Sequence, residues 1–382
     1  MAVKPNETRL RLYLTREPVI LALLSALAVV SFVAVTGLSH VYHAQQKFLG
    51  NRWFSRGAAD LKAKRFESAA AEFRTALLYS RDNYSYQLNL AEALVGWKRT
   101  GEAYAYLINL WEREPENGLV NLELARIAAQ QGRTEEALRY YHNAIYATWP
   151  GDQGVERRDA RLELVDFLLR FHAKAQAQSE LIALAANLPD DPALQTRVGD
   201  LFLQAEDYEH AFAEYRLSLK SERHNPSALA GAGRAAFELG RYPLAQRYLQ
   251  AAVTADASDS QSAALLKTTD LVLAMDPFRQ PSPGRRNRVV MDAFAVAGQR
   301  LNSCSASLKG SASDAGSQPS LAESWSKMKP QITGRELGRN PDLVEAAMDL
   351  VFRIERQTDT ACGSPTGMDR ALLLIAKLHE GT

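Results

Sequence analysis

The residue patterns that could support catalysis or metal binding are few in this sequence, and each also fits a structural role. Cys304 and Cys362 do not form the Cys-x-x-Cys pairs that hold zinc or iron–sulfur clusters. Residues 231–236 have the glycine spacing of a dinucleotide-binding loop, but a predicted helix precedes them instead of the required strand. The 382 residues contain no P-loop, HExxH or GxSxG motif. We therefore predict a protein that is not an enzyme and that uses no cofactor or metal.

Charged and histidine side chains also lack the patterns of a reactive or nucleic-acid-binding site. Lys and Arg number 45 and Asp and Glu number 44, so the chain as a whole presents no basic surface for DNA or RNA. The pair Glu135 and Glu136 falls in the first turn of a predicted helix, where the helix dipole favours anions. His40 and His43 could contact one metal ion, but no third ligand accompanies them. We predict no nucleic-acid partner.

An apolar segment near the N-terminus predicts a membrane anchor. Residues 18–46 contain no Asp, Glu, Lys or Arg, and residues 19–38 match the roughly 20 apolar residues that cross a bilayer. We predict a short cytoplasmic segment over 1–18 and a transmembrane helix over 19–39. A buried core helix and a cleavable signal peptide are the alternatives, although the apolar region of a signal peptide is usually shorter.

The flanking charges predict the orientation of this helix. Basic residues are slightly more frequent before the apolar segment than after it, which places the N-terminus in the cytoplasm. The protein would then be a single-pass membrane protein with the rest of the chain outside the cytoplasm, in the periplasm of a bacterium. A chain that faces the cytoplasm is the alternative. The basic residues before the segment are Lys4, Arg9, Arg11 and Arg16, and those after it are Lys47, Arg52 and Arg56.

The central part of the chain repeats with a period of 34 residues. Repeat position 20 is alanine in all six units, and position 24 is aromatic in several of them. A small residue at that spacing lets two helices approach closely, while the aromatic ring fills the space beside them. Six residues, 152–157, interrupt the period after the third unit, and we expect them to form a longer loop. The units cover residues 50–83, 84–117, 118–151, 158–191, 192–225 and 226–259.

This pattern resembles the tetratricopeptide repeat, in which each unit of 34 residues is a pair of antiparallel helices. The resemblance implies an all-α protein: a right-handed α-solenoid after one transmembrane helix, with a helical C-terminal extension. We call the first helix of each unit the A helix and the second the B helix. The units depart from the family pattern at several positions, including His172, where glycine is usual.

The resemblance also implies that the A helices line a groove that binds a protein or peptide. The residues at repeat position 9 alternate in charge along the units, so we expect recognition by complementary charge. Phe54, in the first A helix, is the apolar candidate. The candidate groove residues are Phe54, Glu92, Arg126, Asp166, Asp200 and Arg234.

These patterns together predict a non-catalytic, membrane-anchored scaffold for protein–protein interaction. The identity of its partner is not encoded in the repeats. The alternatives are an assembly factor whose solenoid faces the cytoplasm and an enzyme with an unrecognised active site.

The C-terminal part of the chain has no repeat period. Residues 260–276 are predicted to form a helix that caps the solenoid with a polar outer face. Residues 285–382 are predicted to form a helical module with a flexible loop over 306–321, where Gly and Ser are frequent. Cys304 and Cys362 could form a disulfide if they lie outside the cytoplasm, and two isolated buried thiols are the alternative.

Overall fold

The computed structural model describes residues 7–149, 151, 153–308 and 320–379, and these form helices and short connections with no strand. Residues 1–6 of the predicted cytoplasmic segment and residues 380–382 therefore lie outside the described residues. The chain divides into two compact units, Met1–Leu164 (unit 1) and Val165–Thr382 (unit 2).

Unit 1 begins with helix α1, Glu7–Lys62, which has 56 residues. The predicted span and the first A helix both belong to it, so a helix joins the apolar segment directly to the first hairpin. Its apolar side chains between Ile20 and Leu38 are exposed, and none of this stretch is buried inside the protein. Length and composition make it a candidate membrane anchor, which is also what a signal sequence would show.

The rest of unit 1 is built from helical hairpins. Asn83 and Asn117 end the connections between hairpins, and each side chain accepts a hydrogen bond from a backbone N–H of the following helix. The helices are α2 (Phe66–Tyr79), α3 (Tyr84–Gly96), α4 (Thr100–Arg113), α5 (Gly118–Gln130), α6 (Thr134–Tyr146) and α7 (Gln153–Arg170), in which the boundary between the units falls.

Unit 2 continues with helical hairpins of the same kind. Asp191 and Asn225 cap two of its A helices, and a proline follows each cap at the first helical position. The helices are α8 (Lys174–Ala185), α9 (Pro192–Gln204), α10 (Tyr208–Ser221), α11 (Pro226–Glu238), α12 (Tyr242–Ala255) and α13 (Ser260–Met275).

Small residues allow the helices of a hairpin to approach, as the sequence predicts. The six alanines at repeat position 20 are all fully buried. A Cβ atom on Gly57 would lie 2.7 Å from the ring of Phe73, and one on Gly199 would lie 2.9 Å from the ring of Tyr215. The aromatic residue at position 24 therefore occupies the space that the small residue at position 8 leaves. The six alanines are Ala69, Ala103, Ala137, Ala177, Ala211 and Ala245.

The turn inside each hairpin has a left-handed residue at repeat position 15, which explains one departure from the family pattern. Gly132 and Gly240 adopt this conformation readily, with φ values of 70° and 68°. The other units place a non-glycine residue there, each at a cost of about 1 kcal/mol. These residues are Lys64, Lys98, His172 and Glu206, with φ between 57° and 62°.

The expectation of a longer loop at 152–157 is wrong, because α7 already begins at Gln153 and has 18 residues against 13 in α5. The connection before it is held tightly. Thr148 pairs with the α4–α5 connection through two backbone hydrogen bonds of 2.9 and 3.0 Å. Trp149 is buried against Gly118, where a Cβ would lie 2.3 Å from the indole. The inserted residues therefore lengthen the helix.

The C-terminal residues of unit 2 form a helical module. Its helices are α14 (Pro283–Leu308), α15 (Leu321–Met328), α16 (Gly334–Arg339), α17 (Pro341–Cys362) and α18 (Gly367–Leu378). The loop predicted over 306–321 is too long at both ends, because residues 306–308 belong to α14 and Leu321 begins α15; residues 309–319 of it lie outside the described residues. Helix α16 was not predicted.

The module packs against α13, so the predicted polar outer face of this cap is covered. Leu378 of α18 approaches the α11–α12 turn, where a Cβ on Gly240 would lie 2.6 Å from its side chain. Cys304 and Cys362 form a disulfide between α14 and α17, with their Cα atoms 6.0 Å apart. The C-terminal helices are therefore an integral part of unit 2.

Candidate protein-binding face

The charged residues at repeat position 9 pair with residues of the next A helix. Arg126 on α5 donates hydrogen bonds to Glu163 on α7, with 2.9 Å between Nε and Oε2. It also donates to Glu123, one turn earlier on α5. Glu163 occupies position 6 of its unit, so a charge at position 9 faces position 6 of the next unit.

Unit 1 thus places three carboxylates around one guanidinium. Glu92 on α3, Glu123, Glu163 and Arg126 make up this group, which we call the Arg126 cluster. Glu123 is only 4% exposed, and its burial raises the pKa of its carboxyl although Arg126 opposes the shift. Burial also raises the pKa of Glu92, whose attraction to Arg126 is smaller. The cluster therefore has more negative than positive groups on the A-helix side of unit 1.

Phe54 is used in packing between the first two hairpins. Its ring stacks on Tyr86 at 5.0 Å between centroids and lies 5.6 Å from Phe73. Tyr86 in turn donates a hydrogen bond of 2.7 Å to Asn51 on the same helix as Phe54. These contacts join α1 to α2 and α3, so Phe54 is half-buried and offers only part of its ring to a partner.

In unit 2 the three predicted position-9 residues also have partners within the chain. Asp166 forms an ion pair of 3.5 Å with Arg197, and Asp200 accepts a hydrogen bond of 2.6 Å from Tyr215. Burial and the Asp200 carboxylate raise the pKa of the Tyr215 hydroxyl. Arg234 donates to Gln261 of α13 at 2.6 Å. Their charges are therefore largely satisfied inside unit 2.

The partners Glu123, Glu163 and Arg197 were not among the predicted site residues, although each occupies position 6 of its unit. A signal for them exists in the sequence, because position 9 of one unit and position 6 of the next are on adjacent A helices. Of the predicted residues, Glu92 and Arg126 belong to one cluster in unit 1, and Phe54 packs elsewhere in that unit. Asp166, Asp200 and Arg234 lie in unit 2 at separate pairs.

The fold and the position-9 pairs define an α-solenoid built from helical hairpins of 34 residues. The sequence model of the tetratricopeptide repeat matches residues 97–148, from the end of α3 to the end of α6. The chain is therefore a tetratricopeptide-repeat protein.

Solved structures of similar proteins include several from bacteria. The C-terminal part of a tetratricopeptide-repeat protein from Cytophaga hutchinsonii has 12% identity and a TM-score of 0.45, covering 62% of this chain and 92% of its own. The pilF protein of Pseudomonas aeruginosa has 17% identity and a TM-score of 0.42, covering 57% and 97%. PilW, described as a type IV pilus biogenesis factor, has 18% identity and a TM-score of 0.41, covering 57% and 97%. No curated protein matches the chain.

Proposed function

We propose that this protein is a non-catalytic scaffold whose A helices bind an extended segment of a partner protein. The observation that carries this proposal is the Arg126 cluster, where half-buried charges from three successive A helices meet. A partner side chain placed there would exchange its contacts with water for contacts with groups that are already partly desolvated. An enzyme with an unrecognised site is not favoured by any group of side chains within the described ranges.

The excess of carboxylates indicates the chemistry of the partner at this point. A Lys or Arg side chain of the bound segment would restore the charge balance around Glu92, which forms no hydrogen bond or ion pair within the described part of the chain. Contacts of this kind act mainly on the rate of association and weaken as salt is added.

Positional scanning of an immobilised library of ten-residue peptides tests this proposal with the full-length chain in detergent. We expect peptides with Lys or Arg at one fixed position to be retained, and Glu92→Gln to weaken their binding several-fold at low salt. The reason is that the variant removes one of the three negative groups that face the basic side chain.

Glu112→Gln is the matched control, since Glu112 is an exposed residue of B helix α4 in the same unit. It should bind the library as the wild type does. Retention of peptides without any preference for basic residues, or an equal effect of the two substitutions, would contradict the proposed recognition.

We further propose that α1 anchors the protein in a membrane and that the repeats lie outside the cytoplasm. The exposed apolar side chains of α1 support an anchor, and the excess of basic residues before residue 19 supports this orientation. The disulfide between Cys304 and Cys362 also supports it, because such bonds persist in oxidising compartments.

Reporter fusions after Thr382 test the orientation in a bacterial host. Alkaline phosphatase, which is active only outside the cytoplasm, should be active at this position, whereas a fluorescent reporter that matures only in the cytoplasm should stay dark. The opposite pair of signals would place the repeats in the cytoplasm and leave the scaffold proposal standing.

A further inference from the structure

The core of the C-terminal module contains a carboxyl group that is shielded from water. Glu355 on α17 is 0% exposed, and among the residues that the structure describes no hydrogen bond within 3.5 Å reaches either of its oxygens. The nearest positive group is Arg300 of α14, whose Nε lies 3.7 Å from Glu355 Oε2. An ionised carboxylate in this position is costly, because burial removes water without supplying hydrogen bonds in exchange.

A second carboxyl group faces Glu355 from the last helix. Asp369 belongs to the first turn of α18, and its repulsion and burial together raise the pKa of Glu355 to about 8, against the opposing effect of Arg300. The pKa of Asp369 is raised as well, by burial first. Asp359, also on α17, adds a third negative charge, so one guanidinium faces three acidic groups.

Arg300 is occupied by further contacts that fix its position. Its Nε donates to the Thr358 hydroxyl at 3.0 Å, and its Nη2 donates to the backbone carbonyl of Gly363 at 2.7 Å. The side chain therefore stays with α17, and it cannot move to compensate a new charge on Asp369. When both carboxyls ionise, their repulsion acts between α17 and α18.

The connections of the three helices make α18 the element that can move. The disulfide holds the end of α17 to α14, whereas α18 is joined to α17 only by residues 363–366. Glycines stand at both ends of this link, Gly363 with φ of 83° and Gly367 with φ of 58°. These glycines let the link change direction with little steric cost.

Helix α18 covers apolar surface at the end of the repeats. Its side chains Leu372 and Ile375 are fully buried, and it packs on α13 and against the α11–α12 turn. Removal of α18 would expose Val272 and Met275 of α13, which are buried in the closed arrangement.

We propose that α18 is a hinged lid on the end of the repeat array, held closed by a proton on the Glu355–Asp369 pair and released when that proton is lost. The lid closes at neutral and acidic pH, because the closed state binds a proton that the open state gives up. Raising the pH from the ordinary range of a glutamate through the value of the buried pair progressively favours the open lid. Opening makes the apolar face of α13 available for contact with other proteins.

Hydrogen exchange of the full-length chain in detergent at pH 6.5 and pH 9, corrected for the intrinsic pH dependence of exchange, tests this proposal. We expect exchange in α18 to increase by about tenfold or more over this interval, while α17 stays protected, because the closed form loses its bound proton. Glu355→Gln and, separately, Asp369→Asn should each remove most of the increase. Glu345→Gln, at an exposed position of α17, should keep it.

Three outcomes would overturn the lid. The first is protection of α18 that does not change between the two pH values. The second is an equal loss of protection in α17 and α18, which would show that the whole module unfolds together. The third is an unaltered increase in both charge-removing variants, with α17 protected at pH 6.5 as evidence that they fold.

Discussion

Replacement of both cysteines, Cys304→Ser with Cys362→Ser, is expected to lower the free energy of unfolding of the C-terminal module by about 4 kcal/mol. The disulfide closes a loop with a sequence separation of 58 residues, and its loss restores freedom to the unfolded chain. Hydrogen exchange of α14 and α17 measures this change, since these are the two helices that the bond joins.

A thiol reductant supplies the control for this prediction. It should lower the stability of the wild-type module by a similar amount and leave the double serine variant unchanged. If the reductant and the substitutions have no effect on α14 and α17, the two cysteines act as separate thiols.

Arg126→Met is expected to destabilise unit 1 by about 2 to 4 kcal/mol at neutral pH. The substitution leaves Glu123, which has a side chain only 5% exposed, without the partner that compensates its charge. The estimate lies in the lower part of the range for broken buried pairs, because Arg126 is itself 36% exposed. Urea unfolding at pH 7 measures the loss.

Two variants separate the burial effect from a general effect of losing an arginine. Arg241→Met removes an exposed pair with Glu209 and should cost less than about 1 kcal/mol. Adding Glu123→Gln to Arg126→Met should recover much of the stability, since no buried charge then remains. Equal losses for Arg126→Met and Arg241→Met would show that the cluster is not a buried network.

The close packing within the helical hairpins was predictable because it depends on local spacing. Alanine at repeat position 20 is needed wherever the A and B helices of a unit touch, so a residue such as Ala137 marks the register without any knowledge of neighbouring units. The same reasoning explains Gly57 and Phe73. It failed at residues 152–157, where the buried Trp149 and not the local composition determines how the connection runs.

The charge pairs of the A helices could be predicted only in part. The row at position 9 was found, but the partner of Arg126 lies 37 residues away, at a distance in sequence that the insertion before α7 alters. Glu163 therefore looks like a solvated residue when its unit is considered alone. The true environment of a charge in a repeat array depends on the neighbouring unit.

The buried acidic group of the C-terminal module gave no sequence signal. Glu355 lies between Ile354 and Arg356, and a charged residue in an amphipathic helix is normally assigned to the exposed face. Only the packing of α14, α17 and α18 around it makes this residue buried. The disulfide was easier to anticipate, because the chain contains only two cysteines.

Site-specific photocrosslinking in living cells tests the central claim, that partner proteins bind on the A-helix side of the repeats. A benzophenone amino acid would replace Asn89, at position 6 of A helix α3, or Glu112 on B helix α4. The account predicts that Asn89 forms a crosslink to one extended segment of a partner, that Glu92→Gln weakens it, and that Glu112 forms none. Crosslinks of equal yield from both positions, or from Glu112 alone, would contradict it.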